Sequence, residues 1–282
     1  MKREKHFKSG SGREWLEQIK AEREKENEPA SELLKQIAAE KAELVKTKKI
    51  RKHPPAGRAG KPLPPITDDD LPAGKAGIPF EIPETWAWCR LGSIFLKLWI
   101  GPFGSLLHKS DYIKGGTPLI NPKHICDGRI CPEEKFSADE ATCKRLSNYL
   151  MPKGAIVMAR RGEMGRCAIV QDSEAGYVCG TDSLILEWPS AMNTEFVVIY
   201  MGTQTAKNYF TDSSIGQTMQ NLNKRILTNM PACLPPIAEQ RVIVERVQAK
   251  LALCDKLESE ITAAEQHAEH LSTAILQEVF DR

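Results

Sequence analysis

No apolar stretch in this chain of 282 residues approaches the length of about 20 residues that a bilayer-spanning helix needs, so no membrane association is expected. The opening segment MKREKHFKSGSGREW carries charge with no apolar core behind it, which argues against a secretory signal and makes the cytoplasm the expected location. Eight cysteines are present, at 89, 126, 131, 143, 167, 179, 233 and 254, and none forms C-x-x-C. Cys126 and Cys131 near His124 raise a zinc reading. The spacing fits scattered reduced thiols better, and no metal ligand is expected. The chain also lacks G-x-x-x-x-G-K-[ST], a dinucleotide loop between strand and helix, G-x-S-x-G and [ND]-P-P-[YF]; Asn121-Pro122-Lys123 does not complete the last. Glu133/Glu134 and Asp139/Glu140 sit in polar sequence and read as solvated surface, while Glu163 has no carboxylate at a useful spacing. No catalytic residue, and hence no enzyme, is expected.

What the chain does have is uneven charge. The net charge is only +2, yet residues 1–61 hold 17 Lys and Arg against 10 Asp and Glu. Residues 90–232 are mildly basic, 16 against 13, and residues 237–282 are acidic, 5 against 9. The two ends are therefore electrostatically complementary.

Residues 13–50 are rich in helix formers, and LEQIKAEREKE (16–26) is echoed by LKQIAAEKAEL (34–44) after 18 residues, five helical turns. Pro29 predicts an interruption, with Ser31 as the N-cap of the restarted helix. Residues 53–85 form a Pro/Gly-rich linker containing the near-repeat PAGRAG (55–60) and PAGKAG (72–77). β-Branched apolar runs predict strands over 155–159, 166–171 and 183–188. Helices are predicted over 138–150 and 193–210. The second has Asn193 or Thr194 as its cap and buries Phe196, Ile199, Tyr200 and Met201. From Pro235 onward the chain reads as one helix of about 44 residues, or about 66 Å, with a proline as its first residue. Apolar or small residues recur at 3–4-residue steps from Val244 to Val279, with one slip at Cys254–Leu257. Leu251, Leu257, Ile261, Leu271 and Ile275 form the core of that seam, which is the pattern of a coiled coil. The basic N-terminal segment is one candidate partner helix, and a helix of another chain is the other.

Two stretches suit nucleic acid. MARRGEMGRC (158–167) joins two strands through a glycine-bearing turn, so Arg160, Arg161 and Arg166 are expected on one hairpin tip. Arginine offers a planar fork that matches guanine or phosphate. SSIGQTMQNLNKRIL (213–227) is dense in Ser, Thr, Gln and Asn, side chains that contact adenine edges and phosphates. Gln217, Thr218, Gln220, Asn221 and Lys224 are its candidate contacts, with Lys109 and Lys123 as further phosphate contacts. A solvated basic turn and an ordinary polar loop are the plainer readings of these two stretches.

Taken in order, these segments resemble the specificity (S) subunit of type I restriction–modification systems. LLKQIAAEKAELVKTKKIRK (33–52), KPLPPI (61–66) and IPFEIPETWAWCRLGSI (78–94) are similar to that family's central spacer leading into a target recognition domain. GPFGSLLHKSDYIKGGTPLINPKHI, MPKGAIVMARRGEMGRCAIV and GQTMQNLNKRILTNMPACLPPIAEQRVIVERV are similar to such a domain running into its distal helix, which LSTAILQEVF (271–280) ends. The resemblance implies an α+β fold: one mixed α/β target recognition domain, with long N- and C-terminal helices forming an antiparallel coiled-coil spacer. The expected divisions are a helical segment over 1–52, the linker 53–85, the recognition domain 86–234 and the spacer helix 235–282. It implies a non-catalytic subunit that reads one half of a bipartite double-stranded DNA target. Its helices would dock modification (methyltransferase) subunits within a complex that also holds restriction subunits. S-adenosylmethionine, ATP and Mg belong to those partners, and this chain needs no cofactor of its own. Where a full S subunit has two recognition domains, this chain has one. It is expected either to homodimerise or pair with another half-subunit, or to be the remnant of a split gene. A coiled-coil adaptor with a protein-binding head is the reading from a different functional class.

Overall fold

The β-branched runs 156–159, 167–169 and 183–187 do form strands, and they build the central sheet. A computed structural model describes residues 28–50, 82–213 and 221–280. The chain divides into two units, Met1–Gln240 and Arg241–Arg282.

The first unit begins, within the described residues, with helix α1 (Ala30–Lys46). Its N-cap is Pro29 rather than the expected Ser31. The orphan amide of Ala30 donates to the Thr85 carbonyl at 2.9 Å, so backbone from a distant segment does the work expected of a serine side chain. Ala30, Leu33 and Ile37 are buried. The Lys41 ammonium donates to the Gly92 and Ser93 carbonyls, both at 3.0 Å. Burial pushes this lysine down to about 8, because losing water penalises its charged form. The upstream copy of the helical repeat, residues 16–26, and both hexapeptides lie outside the described residues.

Strand β1 (Ala87–Arg90), the short helix α2 (Leu91–Ile94) and strand β2 (Lys97–Ile100) follow. Next come β3 (Thr117–Ile120), the hairpin β4 (Ile125–Cys126) and β5 (Arg129–Ile130), and β6 (Ser137–Ala138). The expected helix over 138–150 is α3 (Glu140–Arg145) plus a 3-10 turn at Ser147–Tyr149; Asp139 caps it, accepting from the Thr142 amide. Strands β7 (Ile156–Ala159), β8 (Cys167–Ile169), β9 (Val178–Cys179) and β10 (Ser183–Glu187) come next. They precede helices α4 (Thr194–Gly202), α5 (Gln204–Ser213) and α6 (Lys224–Asn229). Asn193 caps α4, accepting from the Glu195 and Phe196 amides, and α4 buries Phe196, Val197, Tyr200 and Met201, with Ile199 only half-buried. The expected single helix 193–210 breaks at Thr203, whose hydroxyl oxygen accepts from the Ala206 amide and starts a second helix.

The central sheet is antiparallel in the order β2-β10-β7-β8. All of β7 is buried, as is β10 up to Leu186, so these strands read as continuous apolar runs without alternation. Val157, Ala159, Ala168 and Ile185 pack with Ile120, Ile125, Ile130 and Met151 in one core. A second core holds Leu107, Leu119, Ala138, Leu146 and Val178 beside a three-stranded sheet ordered β6-β3-β9.

Strand β1 pairs antiparallel with β11 (Pro231–Leu234), so the way into the domain lies beside the way out. Helix α7 (Ile237–Phe280) starts after two intervening residues and spans 44 residues. Both prolines precede it. The Pro236 carbonyl accepts the first helical bond from the Gln240 amide at 3.0 Å, which makes Pro236 the cap and not the expected first helical residue. Gln240 is fully buried; its amide nitrogen donates to the Pro235 carbonyl at 2.9 Å and its oxygen accepts from the Asn193 amide at 3.2 Å. Glu239 accepts from the Thr85 hydroxyl at 3.0 Å and the Trp86 indole at 2.6 Å. These bonds tie the first turn of α7 to the approach of β1.

The second unit is the rest of α7. Leu251, Leu257, Ile261, Leu271 and Ile275, the expected seam, are all exposed.

Candidate nucleic-acid interface

Register places three chain segments at one end of the central sheet. Leu184 of β10 pairs with Ile100, the last residue of β2, and Ser183 pairs with Ala159, the last residue of β7. The exit loop of β2 (101–116), the turn 180–182 that enters β10, and the β7–β8 connection (160–166) therefore emerge side by side. Their backbones touch. The Gly101 amide donates to the Ser183 carbonyl at 2.9 Å, and a Cβ on Gly101 would sit 2.0 Å from the Gly180 oxygen. Only glycine permits that approach.

All three expected arginines lie on or beside the β7–β8 connection, but their guanidinium groups reach to different partners. Arg160 Nε donates to the Leu222 carbonyl at 3.0 Å, and burial lowers its pKa. Arg161 reaches the Asp182 carboxylate at 3.3 Å. Arg166 donates to the Pro122 carbonyl at 2.7 Å and lies 3.9 Å from Glu163. The connection is thus a junction. Arg160 holds the segment that leads out of the polar loop, Arg166 holds the turn before β4, and Arg161 holds the entry to β10. Each fork keeps N–H groups beyond those already bonded. Arg161 has 42% of its side chain open, against 30% for Arg166.

Asp182 is a site residue that sequence reasoning missed. It sits in the left-handed region at φ +64, accepts the Arg160 amide at its carbonyl (2.9 Å), and offers Arg161 its carboxylate. The turn signal Gly180-Thr181-Asp182 was visible, since aspartate tolerates this conformation. Its partners were not.

Of the polar-loop candidates, Gln217, Thr218 and Gln220 lie outside the described residues. Asn221 is half-buried beside the fully buried Leu222. Lys224 is the first residue of α6, behind the Asn223 cap, and partial burial lowers its pKa. Lys109 is exposed. Lys123 is already engaged: its ammonium lies 2.6 Å from Glu133 and 3.4 Å from the Phe136 ring centroid. Beside it His124 is buried, its Nδ1 accepts from the Asn121 amide at 3.1 Å, and its Nε2 is 3.4 Å from Glu133. Burial lowers the His124 pKa, whereas hydrogen bonds from Lys123 and Lys135 pull Glu133 down to about 2. Among the described residues no group of three His, Cys, Asp or Glu is arranged to hold a metal ion, and no helix is long and apolar enough to cross a membrane.

The family model for the type I restriction modification DNA specificity domain matches residues 83–265, which take in every segment of this interface. The chain belongs to that family. Among specificity-domain relatives, the EcoAI specificity subunit of Escherichia coli is 30% identical over 263 residues, covering 88% of this chain and 40% of that subunit. The EcoEI specificity subunit, from the same organism, is 26% identical over 264 residues with the same two coverages. The chain therefore spans about 40% of the length of these relatives. Among solved structures, one from work on complex assembly and conformational transition of the type I R-M system has 18% identity and a TM-score of 0.48. It covers 89% of this chain and 55% of that one. The HsdS subunit from Thermoanaerobacter tengcongensis has 20% identity and a TM-score of 0.44, covering 62% and 40%.

Proposed function

We propose that this chain is a DNA-recognition unit of a type I restriction–modification complex, and that the segments at the end of the central sheet read one half of a bipartite duplex target. The observation that carries the reading is the convergence of Arg160, Arg161 and Arg166 at that sheet end, inside the stretch that matches a DNA specificity domain. Arg161 and the free edges of Arg160 and Arg166 supply forks for guanine or phosphate. The polar segment around Asn221 and Lys224 joins them because Arg160 anchors it, and Lys109 adds a phosphate contact. Lys123 is the weakest contact of the set, because Glu133 already neutralises it.

The chain itself does no chemistry in this reading. Modification subunits methylate adenine with S-adenosylmethionine, and restriction subunits use ATP and Mg. Helix α7 is the spacer and docking element. Its exposed stripe of Leu251, Leu257, Ile261, Leu271 and Ile275 pairs with another helix, either the N-terminal segment or one from a second copy or a second half-subunit. A complex of this kind works in the cytoplasm.

The test is duplex binding by the chain co-purified with its modification subunit, followed across a salt series. The reading requires affinity that falls log-linearly with salt, and a shallower slope for Arg161→Ala. Salt-independent binding, or none, would favour the protein-binding adaptor.

A further inference from the structure

The β2 exit loop presents an exposed aromatic ring on a rigid mount. Phe103 is 65% exposed, the highest exposure of any large apolar residue among the described residues of the first unit. Its neighbours are fixed on both sides. Upstream, the Gly101 amide is bonded to Ser183 and the Thr181 hydroxyl donates to the Pro102 carbonyl at 3.1 Å. Downstream, Arg145 donates to the Leu106 carbonyl at 2.7 Å and pairs with Asp111 at 2.9 Å, while Leu107 is buried in the second core. Asp111 in turn accepts from the His108 amide at 2.7 Å. A loop so firmly tied could have turned this ring inward. Instead Gly104 takes φ +64 with open space around it, and the ring stays in water.

What surrounds the ring indicates its occupant. Thr181 touches this loop, and the next residue, Asp182, holds Arg160 and Arg161. The loop that carries the ring is therefore tied through Thr181 and Asp182 to the arginine junction. The exposed His108 and Lys109 follow it in sequence, and Asp111, the one acid between Gly101 and Gly116, is already paired with Arg145. Beside the ring, Gly104 and Ser105 add little bulk, so a polyanion's backbone can come close. The loop's exposed apolar side chains, Phe103 with Leu106 at 41% and Ile113 at 36%, are few beside its cations and glycines, which is little apolar area for a protein interface. The setting suits a side chain that touches thymine methyl groups or wedges into a base step.

We propose that Phe103 is a second reading element, an apolar contact to the bases of the half-site beside the arginine junction. This rests on the DNA-reading function proposed above.

The experiment uses the chain co-purified with its modification subunit. One duplex carries the adenines that become methylated on co-expression, and a scrambled duplex has the same composition. Phe103→Ala is expected to lower affinity for the target on the order of tenfold, leaving scrambled-duplex affinity and the salt slope unchanged. Lys109→Ala should instead weaken both duplexes alike and flatten the slope. An unchanged thermal midpoint for Phe103→Ala excludes misfolding, and the exposure of the ring leads us to expect it. If Phe103→Ala binds the target as the parent does, the inference is wrong. It is equally wrong if the variant loses the modification subunit while the assembled complex still binds normally, since the ring then faces protein. A parent complex that cannot tell target from scramble removes the DNA-reading function itself; a discriminating parent with an indifferent variant removes only Phe103.

Discussion

Arg160 and Leu222 hold each other twice: the Arg160 Nε donates to the Leu222 carbonyl at 3.0 Å, and the Leu222 amide donates to the Arg160 carbonyl at 2.9 Å. A side chain suited to reading DNA is here spent partly on positioning the segment that follows the polar loop. Arg160→Ala leaves the buried Leu222 carbonyl without its side-chain donor, at a cost of about 1–3 kcal/mol. We expect a lower urea midpoint and weaker sequence-specific binding, with the salt slope close to the parent's. Arg161→Ala breaks only a half-exposed ion pair, worth about 0–1 kcal/mol, so its stability should be near the parent's while the slope flattens by about one. Equal slopes for the two variants would refute this division of labour.

Acid should loosen the turn around His124 in two stages. His124 is buried with its pKa below the usual 6.5, so the unfolded chain takes up its proton first and stability falls as pH drops below 6.5. Glu133 is held near 2 by Lys123 and Lys135, so its contribution is complete above about 4.5 and is lost as pH falls from there toward 2. Both effects favour neutral pH. Thermal midpoints across pH should fall in both windows for the parent, and Glu133→Gln should flatten the lower one. An unchanged lower limb in that variant would contradict the assignment.

Gly101 and Gly104 test why the β2 exit loop needs glycine. Gly101→Ala drives a methyl into the Gly180 carbonyl, at a cost of about 2–3 kcal/mol, because neither backbone can move without disturbing the sheet end. Gly104→Ala meets no atom and costs about 1 kcal/mol through its positive φ alone. Chemical denaturation should rank them in that order.

On α7, Leu257 and Ile261 are 49% and 58% exposed. Where the stripe pairs with a second chain, replacing both with Asp should change the melting of the isolated chain by under about 1 kcal/mol, since among the described residues both side chains stand in solvent. The same change should abolish association, read by sedimentation velocity with and without the modification subunit. Unaltered association would remove α7 from the assembly surface.

The parts of the fold that were legible in the sequence are those with a period or a composition. The runs 155–159, 166–171 and 183–188 announced strands through β-branched residues. The 3–4 spacing from Val244 onward announced α7, and its exposed stripe is that same pattern. Two-residue strands such as β4, β5 and β9 have no period to detect. The break at Thr203 was missed because apolar residues resume at Ala206, Tyr209 and Phe210 after the short Gly202-Thr203-Gln204-Thr205 stretch, and one hydroxyl bond restarts the helix there. At the site, residue type pointed to the three arginines, but not to what they hold. Arg160 and Arg166 bond carbonyls of Leu222 and Pro122, 62 and 44 residues away, and a carbonyl is common to every residue. Nothing in the sequence sets Phe103 apart from the other aromatic residues; its 65% exposure is a product of the fold.

Methylation mapping after co-expression with the modification subunit tests the central claim most directly. The account predicts methylated adenines within a bipartite motif, and predicts that Arg161→Ala relaxes or erases base preference in one half-site while the spacing between halves is kept. The same motif and occupancy from parent and variant, or no methylation dependent on this chain, would contradict it.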